Sequence, residues 1–180
     1  TNKNLLLDLD FNVDIIFVFS ALTGTNIGFE KYNKFITINE IGLLNILDYH
    51  KESNSKARIV FPSTRLVYKG KKDTKLDETS EKEAKTIYAQ NKLSCESYLK
   101  IYHNMFNIDY TVFRICVPYG NIFDENYSYG TLSFFINKAK NKENIVLFGT
   151  GEQKRTFTHV VDIIRVIFET ISEESTKNEI

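Results

Sequence analysis

Apolar positions along this chain alternate between two kinds of segment. Residues 13–21 carry a continuous run, Ile15-Ile16-Phe17-Val18-Phe19, of the kind that fills a strand covered on both faces. Residues 33–50 instead place Phe35, Ile38, Ile41, Leu44 and Leu47 at helical spacing. Residues 58–62 (Arg-Ile-Val-Phe-Pro) predict a second short buried strand. Residues 86–107 predict a second helix with Tyr88, Leu93, Tyr98, Leu99, Tyr102 and Phe106 turned inward, and 110–116 a third strand. Strand, helix, strand, helix, strand at these lengths requires crossover connections and so a parallel sheet. After Tyr119-Gly120-Asn121 the rhythm changes to a helix over 131–140, a short strand over 145–148 and a Gly149-Thr150-Gly151 turn. An extended stretch, 155–160, and a helix, 161–171, complete the pattern, and no internal repeat is visible.

Composition narrows the possibilities. A length of 180 residues with 42% apolar content suits one domain with a full core. The 23 basic residues balance 23 acidic ones, which removes the broad attraction that nucleic-acid or anionic-membrane binding draws on. Lysines outnumber arginines 18 to 5, a poor composition for reading phosphates with bidentate forks. No apolar run approaches the roughly 20 residues of a membrane span. Cys95 and Cys116 lie inside apolar patterns and read as buried thiols of a reducing, cytoplasmic compartment. His50 and His103, among tyrosines and lysines near helix ends, read as solvated and without metal-ligand company. Residues 69–85 hold 11 charges of mixed sign and read as a solvated loop, in which Ser80 and Glu83 have capping-box spacing for a helical turn.

The sharpest chemical pattern is Tyr88-Ala-Gln-Asn-Lys92. On a helix, positions i and i+4 share one face. An ammonium there stabilises a phenolate and lowers the tyrosine pKa, so the phenol can exchange a proton with a substrate hydroxyl near neutral pH. Spacing alone does not single out this pair, because Tyr68 and Lys72 share it. Gly70 and the charged run make that second pair part of a turn, and context favours Tyr88.

That context is a resemblance over some 150 residues. Phe61-Pro-Ser-Thr-Arg-Leu-Val-Tyr68 is similar to the strand and loop that carry the catalytic Ser/Thr in extended short-chain dehydrogenases/reductases, the NAD-dependent epimerase/dehydratase enzymes of sugar nucleotides. Asn39-x-x-Gly42-x-x-Asn45 resembles the preceding helix of that family, and Arg114-Ile-Cys-Val-Pro-Tyr-Gly120 its Arg-x-x-Asn-x-Tyr-Gly loop. Gly149-Thr-Gly-Glu-Gln-Lys-Arg155-Thr-Phe-Thr-His159-Val-Val-Asp162 resembles its nucleotide-sugar segment.

The resemblance implies a Rossmann-like, doubly wound α/β fold, with 1–120 a partial NAD(P)-binding domain. It implies that 121–180 are a partial substrate-binding region mixed with the last Rossmann elements. In roles, Tyr88 would be the acid/base and Thr64 would hydrogen-bond the same substrate oxygen. Lys92 would bind the ribose of NAD or NADP. Ser20 and Ala21, ending the first strand, would face the cofactor, since ligands collect at the carboxyl ends of parallel strands. Arg155 would pair with the diphosphate of a nucleotide-sugar substrate. The helix over 86–107 is apolar enough to pair with a second copy in a homodimer.

Departures from the family pattern shape the expectation as well. The glycine-rich phosphate turn is absent, the first strand resembles the family's fourth, and the chain opens at Thr1 without an initiator Met. The sequence is therefore read as N-terminally truncated. Val117 stands where the family usually has Asn, and Lys69 interrupts the usual Tyr-Gly. Arg65 and Leu66 follow Thr64, where a dehydratase usually has Asp-Glu, which favours epimerisation or keto reduction over dehydration. A rival of another class is a non-catalytic binding or scaffold protein with a degenerate Rossmann fold. Asn39 admits two readings, a local helix hydrogen bond or a proton-relay role. His159 and Asp162 read as residues that cap and pack the last helix.

Overall fold

A computed structural model describes residues 3–71, 73–120, 130–147, 149–152 and 154–180. The chain divides into two compact units, Thr1–Arg114 with Glu173–Ile180, and Ile115–Ser172.

In the first unit β1 (Ile15–Phe17) leads through α1 (Asn26–Glu30), α2 (Tyr32–Phe35), a π-helical stretch (Ile36–Ile41) and α3 (Gly42–Glu52) to β2 (Arg58–Thr64). Helix α4 (Ile87–Phe106) then leads to β3 (Tyr110–Ile115). β2 lies between β1 and β3, and β1 runs parallel to it with Ile15 opposite Arg58 and Phe17 opposite Val60. The expected alternation of strands and helices is therefore present. Its core gathers Val18, Leu43, Leu47, Ile59, Phe61, Cys95, Leu99 and Val112.

The first strand departs from expectation on one face. Ile16 and Val18 pack on the core, but Phe17 and Phe19 are 48% and 57% exposed. Successive strand residues point to opposite faces, so one face is covered and the other open. His50 also differs from expectation: it is buried, and its Nε2 lies 2.8 Å from Ala57 O. Burial lowers its pKa, and the neutral ring donates to that carbonyl.

Thr86 caps α4, its Oγ1 accepting from Ala89 N–H at 3.1 Å, and left-handed Asn107 ends it. The capping-box reading of Ser80 and Glu83 is corrected. Ser80 Oγ donates to Asp77 Oδ1, Lys69 N–H donates to Glu81 O, and Glu83 N–H donates to Val67 O. The charged stretch thus folds back beside residues 67–69 instead of opening a helix. Residues 178–180 lie along β3, with Val112 N–H donating to Glu179 O at 3.0 Å and Ile180 packed on the core. Buried Arg58 secures this segment through Thr176 Oγ1 and Glu173 O.

In the second unit β4 (Val117–Tyr119) pairs in parallel with β5 (Phe157–His159), followed by α6 (Val160–Ile171); α5 (Gly130–Lys140) lies between the two strands in sequence. His159 caps α6, its Nδ1 accepting from Val161 N–H. The extended stretch thus narrows to 157–159. Residues 145–147 form no strand and their side chains are exposed, and Phe148 lies outside the described residues. An apolar run becomes a strand only where a ladder partner exists, and among the described residues this one has none. Sequence periodicity also missed β4, at whose centre Pro118 supplies no N–H to a ladder. No helix among the described residues is long and apolar enough to cross a membrane.

The open face of β1, together with exposed Leu5, Leu7 and Leu9 before it, gives a first expectation. The 180-residue chain expressed alone should self-associate or stay partly molten, because unpaired edges and apolar patches recruit partners. Light scattering and a thermal melt check this, and a monodisperse monomer with a sharp cooperative transition would contradict it.

Candidate active site

Of the residues singled out in the first unit, Thr64 lies at the carboxyl end of β2 and Tyr88 and Lys92 in the first turns of α4. Ser20 and Ala21, expected to end the first strand, instead lie beyond β1, which stops at Phe17. Thr64 closes β2, is 7% exposed, and its Oγ1 accepts from Leu66 N–H at 3.3 Å, opening the 3-10 turn Arg65–Val67. Accepting that bond leaves the hydroxyl hydrogen for another acceptor. Tyr88 is half-buried two residues beyond the Thr86 cap. Lys92, one turn further on, is 3% exposed. Its ammonium donates to Pro62 O at 2.7 Å and lies 4.3 Å from the centroid of the Phe61 ring.

The reason lies in the sequence Phe61-Pro-Ser-Thr64. Proline has no N–H to continue a ladder, and the register of β1 on β2 runs only as far as Val60. Past the last β1 partner, the Pro62 carbonyl accepts from the Lys92 ammonium. Burial lowers the Lys92 pKa to about 8, against which Cys95 and Glu96 act to raise it. An ammonium has three donors. One goes to Pro62 O and one side meets an aromatic face, so the head group suits a further oxygen such as a ribose hydroxyl. Together with a phenol and a threonine hydroxyl, this donor set fits the nicotinamide-ribose end of a dinucleotide and an adjacent sugar oxygen.

Asn39 settles between neither of its two readings. Its side chain reaches 17 residues back, Oδ1 accepting from Leu22 N–H at 2.7 Å and Nδ2 donating to Leu22 O at 3.0 Å. It thereby pins the chain just after Ser20, which is exposed, and Ala21, which is partly buried. The Asn39 carbonyl, within the π-helical stretch, accepts from Cys95 Sγ at 3.2 Å. Burial pushes that thiol up to about 12, so it stays protonated and serves as a donor. Cys116 is partly buried.

Two residues were missed. Glu96 is buried on α4, and accepts from Ser63 Oγ at 2.5 Å and from Arg114 Nη2 at 2.6 Å. Asn91, also buried, donates to Glu40 Oε1 at 2.5 Å. A charged residue inside an apolar helix face and another closing an apolar strand were the available signals. Arg114 is the second of these, and its Nη1 donates to the hydroxyl of Tyr68. Burial alone would lower the Arg114 pKa, but hydrogen bonds to Glu96 and Tyr68 outweigh it and the net shift is upward. Tyr68, the alternative to Tyr88, is thus held by an arginine, and Lys72 lies outside the described residues. In the second unit, Arg155 is exposed just before β5 and donates to Lys154 O. Among the described residues no three His, Cys, Asp or Glu gather as metal ligands.

Comparison with known proteins identifies the family. A model of the NAD dependent epimerase/dehydratase family matches residues 1–180. The chain is 25% identical over 168 residues to dTDP-D-glucose 4,6-dehydratase of Bos taurus, covering 93% of this chain and 46% of that protein. It is 26% identical over 155 residues to UDP-glucuronate 4-epimerase of Thermodesulfobacterium geofontis, covering 86% and 47%. It also matches the structure of UDP-N-acetylglucosamine 4-epimerase from Methanobrevibacter ruminantium in complex with UDP-N-acetylmuramic acid. There the TM-score is 0.82 at 28% identity, over 94% of this chain and 56% of that one. The chain spans about half the length of the relatives it matches.

The depressed Lys92 pKa has a consequence for stability. Between about 8 and the ordinary value of 10.5 the unfolded chain holds a proton that the folded chain has released. Stability attributable to this residue therefore rises with pH through that window, and below it the full desolvation penalty stands. Relative to Lys92→Met, wild type should gain about 2–3 kcal/mol between pH 7 and pH 10. Urea melts of the full-length wild type and variant check this, and a pH-independent difference would contradict a buried, titrating ammonium.

Proposed function

Since this chain belongs to the NAD-dependent epimerase/dehydratase family, we propose that it carries the acid/base and ribose-binding half of an NAD(P)-dependent sugar-nucleotide epimerase. The observation that carries the reading is Lys92. It is buried one turn after Tyr88, with its ammonium on the carbonyl two residues before Thr64. That bond ties the helix of the Tyr-x-x-x-Lys pair to the strand end that bears the hydroxyl. A scaffold protein has no need of this costly arrangement, which is why the enzyme reading is preferred to the rival. A ketoreductase or dehydratase of the same family is the second reading. Arg65 and Leu66 after Thr64 disfavour the dehydratase, although dehydratases stand among the relatives.

Bound NAD would supply a reversible hydride acceptor, held by Lys92 at its ribose and flanked by Ser20 and Ala21. This chain's residues manage the proton. Tyr88 as phenolate takes it from the hydroxyl on the reacting sugar carbon and later returns it. The Lys92 ammonium favours that phenolate. Thr64 donates to the same oxygen and fixes its orientation. Residues 1–120 would form part of the cofactor domain and 121–180 part of the substrate region mixed with the last cofactor-domain elements, Glu173–Ile180 belonging with the first unit. Arg155 would lie on the diphosphate. A second copy would pair along α4, where Ile101 and Met105 are exposed. With both thiols free, the setting would be cytoplasmic.

In the full-length protein, Tyr88→Phe should leave cofactor binding nearly intact and cut turnover by about 100-fold or more, the scale of a lost general acid/base. Tyr68→Phe should do far less. Steady-state rates with several sugar nucleotides check this, and equal effects of the two changes would reject Tyr88. Arg155→Lys keeps the charge but loses the fork. Calorimetric titration should show affinity for the nucleotide sugar falling about tenfold or more, with cofactor binding unchanged. Unaltered affinity for every sugar nucleotide would return Arg155 to a surface role.

A further inference from the structure

The loop that carries Thr64 is fastened at both ends to one buried ion pair. Glu96 is 4% exposed on α4, one turn past Lys92. Its Oε1 accepts from Ser63 Oγ at 2.5 Å and from Arg114 Nε at 3.1 Å, and its Oε2 accepts from Arg114 Nη2 at 2.6 Å. Ser63 immediately precedes Thr64. On the other side, Arg114 Nη1 donates to the Tyr68 hydroxyl at 2.9 Å and to Glu78 O at 3.2 Å. Its guanidinium also lies 4.9 Å from the centroid of the Tyr68 ring. Tyr68 closes the 3-10 turn that Thr64 opens. The residue before Thr64 and the residue that ends its turn therefore converge on the same two charges.

Stability alone is a weak reason for such a pair. Desolvating two charges offsets most of their attraction, and apolar residues of equal volume often serve as well or better. An arginine–carboxylate fork offers direction, because two parallel hydrogen bonds fix one relative orientation. Here that orientation joins the helix bearing Tyr88 and Lys92 to the end of β3, which bears Arg114 and lies beside β2. Ser63 then takes the remaining capacity of Oε1, so the end of β2 is fixed in the same geometry.

We propose that Glu96 is a positioning residue that sets Thr64 in register with Tyr88 and Lys92, through Ser63 directly and through Arg114 and Tyr68. It touches neither substrate nor cofactor. The proposal rests on the acid/base reading of Tyr88 given above. Because it concerns the geometry of the proton-transfer groups, losing the Ser63–Glu96 hydrogen bond should lower kcat and spare KM for the nucleotide sugar.

The test is a double-mutant cycle in the full-length protein with Ser63→Ala, Glu96→Met, which removes both acceptor oxygens, and the pair, with Tyr88→Phe alongside. Each single change should lower kcat by about 10- to 100-fold, the effect of a misplacement of an ångström or less, with KM within about twofold of wild type. The pair should be no slower than the slower single, since both remove one link. Ser63→Ala disturbs no charge, so it decides the matter even if Glu96→Met, which strands Arg114, fails to fold. An unchanged kcat in Ser63→Ala, a loss confined to KM, or losses that multiply in the pair would each overturn the proposal. If Tyr88→Phe keeps full turnover, the acid/base reading itself falls. If Tyr88→Phe is inactive while Ser63→Ala is unimpaired, only the positioning role does.

Discussion

A helix that buries a lysine, a glutamate and an asparagine can pack only where each of them finds a partner, and α4 is such a helix. Lys92 meets the Pro62 carbonyl, Glu96 meets Ser63 and Arg114, and Asn91 meets Glu40. Tyr98 adds a second bond to Glu40, at 2.9 Å. A shift of α4 by one residue would leave every one of these groups unpaired in a dry environment, at about 1–3 kcal/mol for each neutral group and more for each charge. An apolar face tolerates small slides and rotations, because dispersion is not directional. This face does not, and the position of Tyr88 relative to Thr64 follows from it.

The polar face explains what the sequence could and could not tell. Strands and helices were legible where apolar residues carried the packing, as in residues 33–50 and 110–116. Helix α4 was legible as a helix, and its inward face only in part. Apolar periodicity pointed rightly to Leu99 and to Tyr98 and Tyr102, which pack on the core, but it also gave Phe106, which is exposed, and passed over buried Asn91, Lys92, Cys95 and Glu96. Hydropathy assigns a charged residue to solvent unless its partner is known, and the partners are far away in sequence. Glu96 and Arg114 are 18 residues apart, and Ser63 and Glu96 are 33 apart. His50 was misjudged for the same reason, since its acceptor is a backbone carbonyl on the far side of a turn. The Tyr-x-x-x-Lys pair was legible because its spacing is local to one helix. The bonds that orient it are non-local and were not.

Residues 145–148 teach the complementary lesson. Ile145-Val146-Leu147 has the composition of a strand, yet Val146 is 68% exposed and no ladder forms over 145–147. Conversely Val117–Tyr119, with a proline at its centre, pairs with Phe157–His159. β-propensity describes how a side chain suits a pleated surface. Whether that surface exists depends on a second segment, and local composition contains no information about it.

The π-helical stretch Ile36–Ile41 extends the constraint on α4 to the end of β1. A π-helical stretch shifts the backbone ladder by one residue and frees carbonyls for other donors. Here the Asn39 carbonyl receives the Cys95 thiol of α4, while the Asn39 side chain holds both backbone polar groups of Leu22. One residue thus joins the helix of the proposed acid/base to the turn that follows Ser20 and Ala21, the proposed cofactor-facing pair. The side chain must be an amide for this. An aspartate in its place would accept from Leu22 N–H but present a second acceptor, and so repulsion, to Leu22 O. A leucine of similar volume would leave both backbone groups without their partner. The two halves of the candidate site, the segment that follows β1 and the start of α4, are therefore held in one frame by a residue that belongs to neither.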